Sequence, residues 1–163
     1  MGLNLRRFTI DDWQVYKSIR LEALDKEANF FGGRYAVESL LTDTDWQERL
    51  ANQKCAVWGL YDGDACIGLT GVMELKEDPA CALLIASYIR QEYRGRGLSE
   101  LYYRARLDWA RTMGYKWAEV HHRRTNVISK AANQKFGFQY IKTENVLFPD
   151  GTYDDSLYYR LPI

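Results

Sequence analysis

The chain has 163 residues, of which 47% are hydrophobic and 14% aromatic, so we expect one globular domain spanning residues 1–163. Its 22 basic and 22 acidic side chains balance, which argues against nucleic acid as a partner. No apolar run approaches the roughly 18 residues that cross a bilayer. The N-terminal segment also lacks the apolar core of a signal peptide, so we expect a cytoplasmic protein without a membrane partner.

The three cysteines lie in or beside apolar, strand-like runs: Cys55, Cys66 and Cys81. An odd number of cysteines in such positions is typical of buried thiols in a reducing compartment. It does not indicate a disulfide framework or a metal site, and we therefore expect no bound metal.

The first third of the chain is predicted as a strand followed by two helices. Partial alternation of apolar residues indicates an edge strand, and apolar residues at helical spacing indicate the helices. The link between the helices is irregular, aromatic and rich in glycine. The predicted elements are strand 3–8, a helix from about Trp13 to about Lys26, link 27–35, and a helix that Asp43 or Thr44 caps and that continues through Leu50.

An antiparallel meander follows. Apolar runs of strand length cover residues 54–61, 65–75 and 82–89. Asp62-Gly63-Asp64 has the sequence of a hairpin turn between the first two runs. Gly68 and Gly71 in the middle run suggest a bulge or a close backbone approach.

The second half is predicted to begin with a helix from Leu98 to about Gly114. The next strand should run parallel to the preceding one through a right-handed crossover. The remaining predicted elements are strand 117–122, helix 127–136 and the antiparallel strands 138–147 and 155–161. The order β-α-α-β-β-β-α-β-α-β-β indicates a mixed α/β (α+β) fold of about seven strands and four helices.

A glycine- and arginine-rich turn joins the third strand of the meander to the next helix: Arg94-Gly95-Arg96-Gly97-Leu98-Ser99. Glycines let consecutive backbone N–H groups form a concave anion receptor, and a helix start adds further donors. The sequence lacks the lysine of a Walker loop, and Glu100 stands where a dinucleotide-binding turn needs its third glycine. The turn therefore favours a diphosphate, although an ordinary strand-to-helix turn remains the alternative.

This turn resembles the pyrophosphate motif of the GCN5-related N-acetyltransferases (GNAT), which runs Arg or Gln, two residues, Gly, one residue, Gly or Ala. Ser99 departs from the motif in the last place. Serine is small, and at a helix start its hydroxyl can bond a free N–H, so we expect the site to survive this departure. The segment from Asn126 to Gly137-Phe138 is similar to the later signature of the family. The resemblance implies a mostly antiparallel GNAT sheet with a splayed parallel strand pair.

The resemblance also implies a function: direct transfer of an acetyl group from acetyl-CoA to a primary amine. The implied cofactor contacts are the main chain of Ile89 for the pantetheine arm, the turn Arg94, Gly95, Arg96, Gly97, Leu98 and Ser99 for the diphosphate, and the side chains of Asn126 and Asn133. Asn126 is also a simple helix N-cap candidate.

Three residues are candidates for deprotonating the amine. His121 titrates in the useful range and lies on the strand that should line the cleft. Glu119 shares its face, and Glu74 is a second possible base, acting through water. The alternative for His121 is a hydrogen-bonded strand residue without a catalytic role. His122 should face the other way and be structural.

Asn133 occupies the slot where many family members have a tyrosine that protonates the leaving thiolate. Asparagine can donate a hydrogen bond but cannot supply a proton. A water, or Tyr158 or Tyr159 in the last strand, would then replace that tyrosine, or the thiolate leaves unassisted. The same two tyrosines suggest a possible homodimer.

The link between the first two helices forms one wall of the acceptor cleft in the resembled family. Phe31, Arg34 and Tyr35 are therefore candidate substrate contacts, with Phe30, although Phe30 and Phe31 are equally typical of a lid on the core. Acidic residues near the cleft would favour a cationic amine such as a polyamine, an aminoglycoside or a lysine, unless they are solvated surface. Two other functions remain open: a non-catalytic CoA or acyl-CoA sensor, and, less favoured, an RNA-binding protein.

Overall fold

A computed structural model describes residues 2–28, 30 and 33–163. The strands are β1 (Leu3–Arg7), β2 (Cys55–Asp62), β3 (Ala65–Leu75), β4 (Asp78–Ile89), β5 (Trp117–Arg123), β6 (Gln139–Leu147) and β7 (Tyr153–Pro162). The helices are α1 (Trp13–Lys26), α2 (Tyr35–Glu38), α3 (Asp43–Ala51), α4 (Ser99–Thr112) and α5 (Val127–Lys135). Of these elements, only the single-turn helix α2 was not predicted. Within the described residues, no helix is both long and apolar enough to cross a membrane.

The strands form one seven-stranded sheet in the order β1-β2-β3-β4-β5-β7-β6. Only β4 and β5 are parallel neighbours, because α4 connects them by a crossover, and every other pair is antiparallel. The predicted mixed α/β fold with a parallel pair is confirmed.

Helices cover both faces of the sheet. On one side, which we call the α1 face, Tyr16 and Trp46 of α1 and α3 pack against Val57 and Leu69. The opposite side, the α4 face, is covered by α4 and α5. Side chains alternate between these faces along each strand, so a residue's position in its strand decides which face it joins.

A bulge interrupts β4 beside β3. Leu69 pairs with Tyr88 and Gly71 with Ile85, which leaves an extra residue in β4, and Ala86 takes a positive φ of 56°. Gly68 is a point of close approach, since a side chain there would collide with the Tyr102 hydroxyl and the Tyr88 carbonyl. The close approach predicted from the glycines of β3 is therefore found, whereas the bulge described here lies in the neighbouring strand β4.

β4 and β5 separate just before this bulge. Their parallel register runs from Cys81 opposite Trp117 to Leu84 opposite Val120 and ends there, while both strands continue. The predicted splay is confirmed. It opens a gap in the middle of the sheet, and the carbonyl and amide groups of β4 along that edge have no neighbouring strand.

Candidate active site

A cavity of about 610 Å³ lies at the gap between β4 and β5. Its walls include residues of the α1 face, such as Tyr16, Met73 and His121, and residues of the α4 face, such as Tyr103 and Asn126. The cavity therefore reaches both faces of the sheet through the gap. Two molecules entering from opposite faces can meet there.

The predicted phosphate turn leads from β4 into α4. Gly95 and Gly97 have φ values of 79° and 71°, which favour glycine, and both point into open space. The first hydrogen bonds of the helix run from Glu100 N–H to Gly97 and from Leu101 N–H to Leu98. Within the described residues, the N–H groups of residues 95–99 donate no backbone hydrogen bond of this kind. They remain as donors at the positive end of α4.

Ser99 does not cap this helix. It is the first helical residue, Leu98 occupies the N-cap position, and no side chain caps the helix start. The capping bond that the Ser99 hydroxyl could make to a free N–H is therefore not formed, because the helix begins one position too early for that geometry. The uncapped amides are, for the same reason, more accessible to an anion.

The two motif arginines flank the turn. Arg94 donates from Nε to the Ile89 carbonyl at 2.7 Å and pairs through Nη2 with Glu27. The Arg96 guanidinium carbon lies 5.2 Å from the centre of the Tyr93 ring. The Ile89 carbonyl, a predicted contact for the pantetheine arm, thus already accepts one hydrogen bond from Arg94.

His121 and Glu119 form a hydrogen-bonded pair on the α1 face. His121 Nε2 lies 2.6 Å from Glu119 Oε1, and the imidazole centre lies 3.9 Å from that of Tyr158. Glu119 Oε2 accepts from Arg160 Nε at 2.9 Å, and the side chain of Glu119 is almost fully buried. Because a carboxylate only accepts, Nε2 carries the proton and Nδ1 keeps a lone pair.

Burial sets the protonation state of His121. Its removal from water lowers the pKa below the ordinary 6.5, and the opposing effect of Glu119 is smaller. The imidazole is therefore neutral at pH 7 and able to accept a proton. Glu119 itself does not line the cavity, so its position suits orienting His121 rather than contacting a substrate.

His122 faces the other way, as predicted. It is buried on the α4 face, where Nδ1 bonds the Arg123 carbonyl at 3.0 Å and the ring stacks on Tyr159. Its Nε2 is buried without a partner among the described residues, and burial lowers its pKa. It lines the cavity as well, so the two histidines border the same cavity from opposite faces of the sheet.

Asn126 combines the two roles that its sequence position suggests. Its side chain accepts from Ser129 N–H at 3.1 Å and so caps α5, and it also lines the cavity.

Of the predicted cofactor residues, Ile89 and the turn 94–99 lie outside the lining of the cavity. Glu74 and Asn133 do not line it either, and each has other surroundings. Glu74 lies on the α4 face, where it accepts from Tyr115 Oη at 3.1 Å and Lys54 Nζ at 3.3 Å, so its position does not support a role as a base. Asn133 is completely buried at the end of α5, and neither polar side-chain atom has a partner among the described residues. Its position does not support the predicted cofactor contact.

The predicted acceptor wall is only partly recovered. Phe31 lies outside the described residues, and Arg34 and Tyr35 are exposed and do not line the cavity. Phe30 does line it. The rest of that wall comes from α1 and α3 through three residues that the sequence analysis did not assign to the site: Tyr16, Arg20 and Arg49.

Arg106 is a further cavity residue missed from the sequence. It is 2% exposed and donates from Nη1 to Ser87 Oγ at 3.0 Å and to the Ile85 carbonyl at 3.4 Å. Its guanidinium carbon lies 4.7 Å from the centre of the Tyr103 ring, and burial lowers its pKa to about 10. Arg106 thus donates hydrogen bonds to the residues on both sides of Ala86 in the β4 bulge.

Comparison with known families and structures agrees with this geometry. A family model described as an acetyltransferase (GNAT) domain matches residues 2–139. Comparison with curated protein sequences gave no match.

Solved structures share the fold at low sequence identity. A GNAT-family acetyltransferase from Streptococcus pneumoniae is 16% identical, with a TM-score of 0.80 over 99% of this chain and 100% of that one. The protein yncA from Salmonella typhimurium, solved with its cofactor acetyl-CoA, is 16% identical, with a TM-score of 0.80 over 99% and 94%. A ribosomal-protein-alanine N-acetyltransferase from Brucella melitensis is 16% identical, with a TM-score of 0.77 over 98% and 99%. With the family model matching most of its length, the chain belongs to the GNAT acetyltransferase family.

Proposed function

We propose that the protein transfers an acetyl group from acetyl-CoA directly to a primary amine. The observation that carries this proposal is the cavity at the β4–β5 gap, which reaches both faces of the sheet. A thioester arm lying along the gap presents its carbonyl to an amine arriving from the α1 face. Family membership, a neighbour solved with acetyl-CoA and a neighbour that acetylates an amine support the same activity.

The turn from Gly95 to Ser99 suits the diphosphate of acetyl-CoA. The two positive-φ glycines have open space where a side chain would project, and the uncapped start of α4 supplies further N–H donors. The residues present therefore fit the group. Arg96 adds a positive charge beside the turn, while Arg94 orders its flank through Ile89 and Glu27.

The free edge of β4 suits the pantetheine arm. Ala86 and Ser87 pair with no residue of β3 or β5, so their backbone groups are available to an arm that carries amides. Asn126 borders the same part of the cavity from the start of α5. Binding there places the thioester end of the arm at the gap.

His121 is the base in this proposal, with Glu119 as its positioning residue. An ammonium must lose its proton before it can attack a thioester, and most amines are protonated at neutral pH. The proton passes to His121 Nδ1, the nitrogen that Glu119 does not occupy. Arg160 holds Glu119 in place on its other oxygen.

No tyrosine considered for the leaving thiolate is suited to protonate it. The Tyr158 hydroxyl donates to Glu144 at 2.9 Å, and burial with this bond raises its pKa to about 12. Tyr159 is buried in the α4-face core. The thiolate therefore leaves unassisted and takes its proton from water, since a free thiol has a pKa of about 8.5.

The test is thiol release from acetyl-CoA across a panel of amines, with mass spectrometry of the acetylated product. We expect release that depends on an amine and yields an N-acetyl product. Tight CoA binding with no turnover of any amine would contradict the proposal and identify a binding module instead.

A further inference from the structure

The charges that line the cavity all have one sign. Among its described lining residues, those carrying a full charge are Arg20, Arg49 and Arg106, and none is an aspartate or glutamate. The sequence from 28 to 33 contains no charged residue. Both cavity histidines are neutral at pH 7 because burial lowers their pKa values. This cavity does not offer the carboxylates with which a site would bind a polyamine or an aminoglycoside.

Two of these arginines share one carboxylate on the α1 face. Arg20 donates to both oxygens of Glu38, at 3.1 and 3.0 Å, and Arg49 Nη1 donates to Glu38 Oε1 at 2.7 Å. The cluster therefore carries one net positive charge. The Glu38 side chain is only 8% exposed and does not line the cavity, whereas the Arg49 side chain is 37% exposed and does. The uncompensated charge thus faces the cavity.

The packing around the pair fixes its orientation. The Arg49 guanidinium carbon lies 4.9 Å from the centre of the Trp46 ring, and the indole of Trp46 is fully buried. Gly33 lies against the pair from the other side, since any side chain there would collide with Glu38 and Arg20. A guanidinium has five N–H donors. Glu38 takes one from Arg49 and the Tyr16 hydroxyl interacts with another, so the remaining donors offer a planar anion a preorganised partner.

Resting on the proposed function, we infer that the acceptor is a small primary amine that also carries a carboxylate, and that Arg49 binds this carboxylate. The amine end lies towards His121 on β5. α3, which carries Arg49, packs on β2. β2 and β5 are three positions apart in the sheet, which gives about 14 Å at about 4.8 Å per spacing, and the β4–β5 gap adds to that distance. The acceptor and the two side chains together span it.

The test compares matched acceptors in which only the carboxylate differs. The pairs are alanine or β-alanine against ethylamine, 4-aminobutanoate against propylamine, and 5-aminopentanoate against butylamine, with spermidine as a cationic acceptor. We expect kcat/KM to be at least about tenfold higher for one or more of the acids than for its amine, and spermidine to be the poorest acceptor. Equal or better use of the amines would overturn the inference.

Variants of Arg49 assign the effect to one side chain. R49Q should raise KM for the preferred acid about 10- to 100-fold, because a charge-assisted, partly desolvated contact is lost. It should leave kcat/KM for the matched amine and KM for acetyl-CoA within about twofold, and R49K should recover part of the loss. The matched control R111Q changes an exposed arginine of α4 that pairs with Asp108, far from this wall, and should change neither acceptor.

The outcomes distinguish a failure of the inferred acceptor class from a failure of the proposed acetyltransferase activity. If spermidine or a peptide is acetylated and no acid is, or if R49Q weakens acids and amines equally, the inference fails while the proposed function stands. If no amine of any class is acetylated, the proposed function fails and the inference falls with it. The panel on the unmodified protein decides the acceptor class even where R49Q does not fold.

Discussion

Replacement of His121 by glutamine tests the proposed base. The imidazole lines the cavity, and its Nε2 is held at 2.6 Å by Glu119, which leaves Nδ1 for the incoming ammonium. Glutamine keeps a hydrogen bond to Glu119 but accepts no proton at neutral pH. The variant must therefore use only the fraction of acceptor that is already deprotonated.

The size of the loss follows from the pKa of the acceptor. An amine with the pKa of lysine, about 10.4, is about 0.1% deprotonated at pH 7.4, so the loss can reach about 1,000-fold. A peptide α-amine with a pKa of about 8 is already about 20% deprotonated, which limits the loss to about fivefold. The larger value lies within the roughly 10²- to 10⁴-fold range of general-base catalysis.

The assay is kcat/KM at pH 7.4 for acceptors of graded pKa, followed by a pH profile for one of them. Because burial lowers the pKa of His121 below 6.5, the active neutral form is lost only as the pH falls below that value, so the acid limb of the unmodified protein lies under pH 6.5. H121Q should remove this limb, and its rate should follow the free amine upward with pH.

The control is H122Q, which removes the neighbouring imidazole on the opposite face. Its effect should be the same factor for every acceptor, because it does not act on the amine proton. A loss in H121Q that does not depend on acceptor pKa, or activity equal to that of the unmodified protein, would refute His121 as the base.

Three further predictions address the cofactor turn, the histidine pair and the bulge. G97A should raise KM for acetyl-CoA several-fold, because a left-handed alanine costs about 1–2 kcal/mol and its strain distorts the turn that carries the amides. G63A, with a similar φ of 60° at a distant hairpin, should lose the same stability in urea denaturation without any change in KM. E119Q should lower the pKa of His121 further, because Glu119 raises that pKa more than Glu144 does, and a higher pKa by NMR titration would contradict the pairing. A86G should raise the free energy of unfolding by up to about 1 kcal/mol by relieving the positive φ, and a stability loss would show that this conformation carries no strain.

The parts of the site that the sequence predicts are those built from neighbouring residues. The phosphate turn and the Asn126 cap each lie within a few residues, so their amino acids report the local backbone directly. The hairpin at Gly63 is predicted for the same reason. The parallel strand pair follows from a similarly short rule, because a helix connects the two strands.

The parts that the sequence does not predict depend on contacts between distant segments. Arg20 and Arg49 meet at Glu38 across 18 and 11 residues, and no spacing rule connects them. The sequence also does not predict on which face of the sheet Glu74 lies. β3 is buried on both sides along most of its length, so its residues show no apolar–polar alternation from which a face can be assigned.

The gap between β4 and β5 depends most strongly on such distant contacts. A left-handed alanine at position 86 costs about 1–2 kcal/mol, and the bulge takes Ile85 and Ser87 out of regular pairing. Arg106 compensates by donating to both, and Ser87 Oγ also lies 3.3 Å from Thr70 Oγ1. Burying a guanidinium with only neutral partners is expensive, and its pKa of about 10 reflects that cost. A hydrophobic residue of α4 in place of Arg106 would remove its hydrogen bonds to the Ile85 carbonyl and Ser87 Oγ at the point where the strands part. The glycine turn is thus a local feature of the sequence, whereas the bulge beside the β4–β5 gap is held by one buried arginine that reaches across from another element.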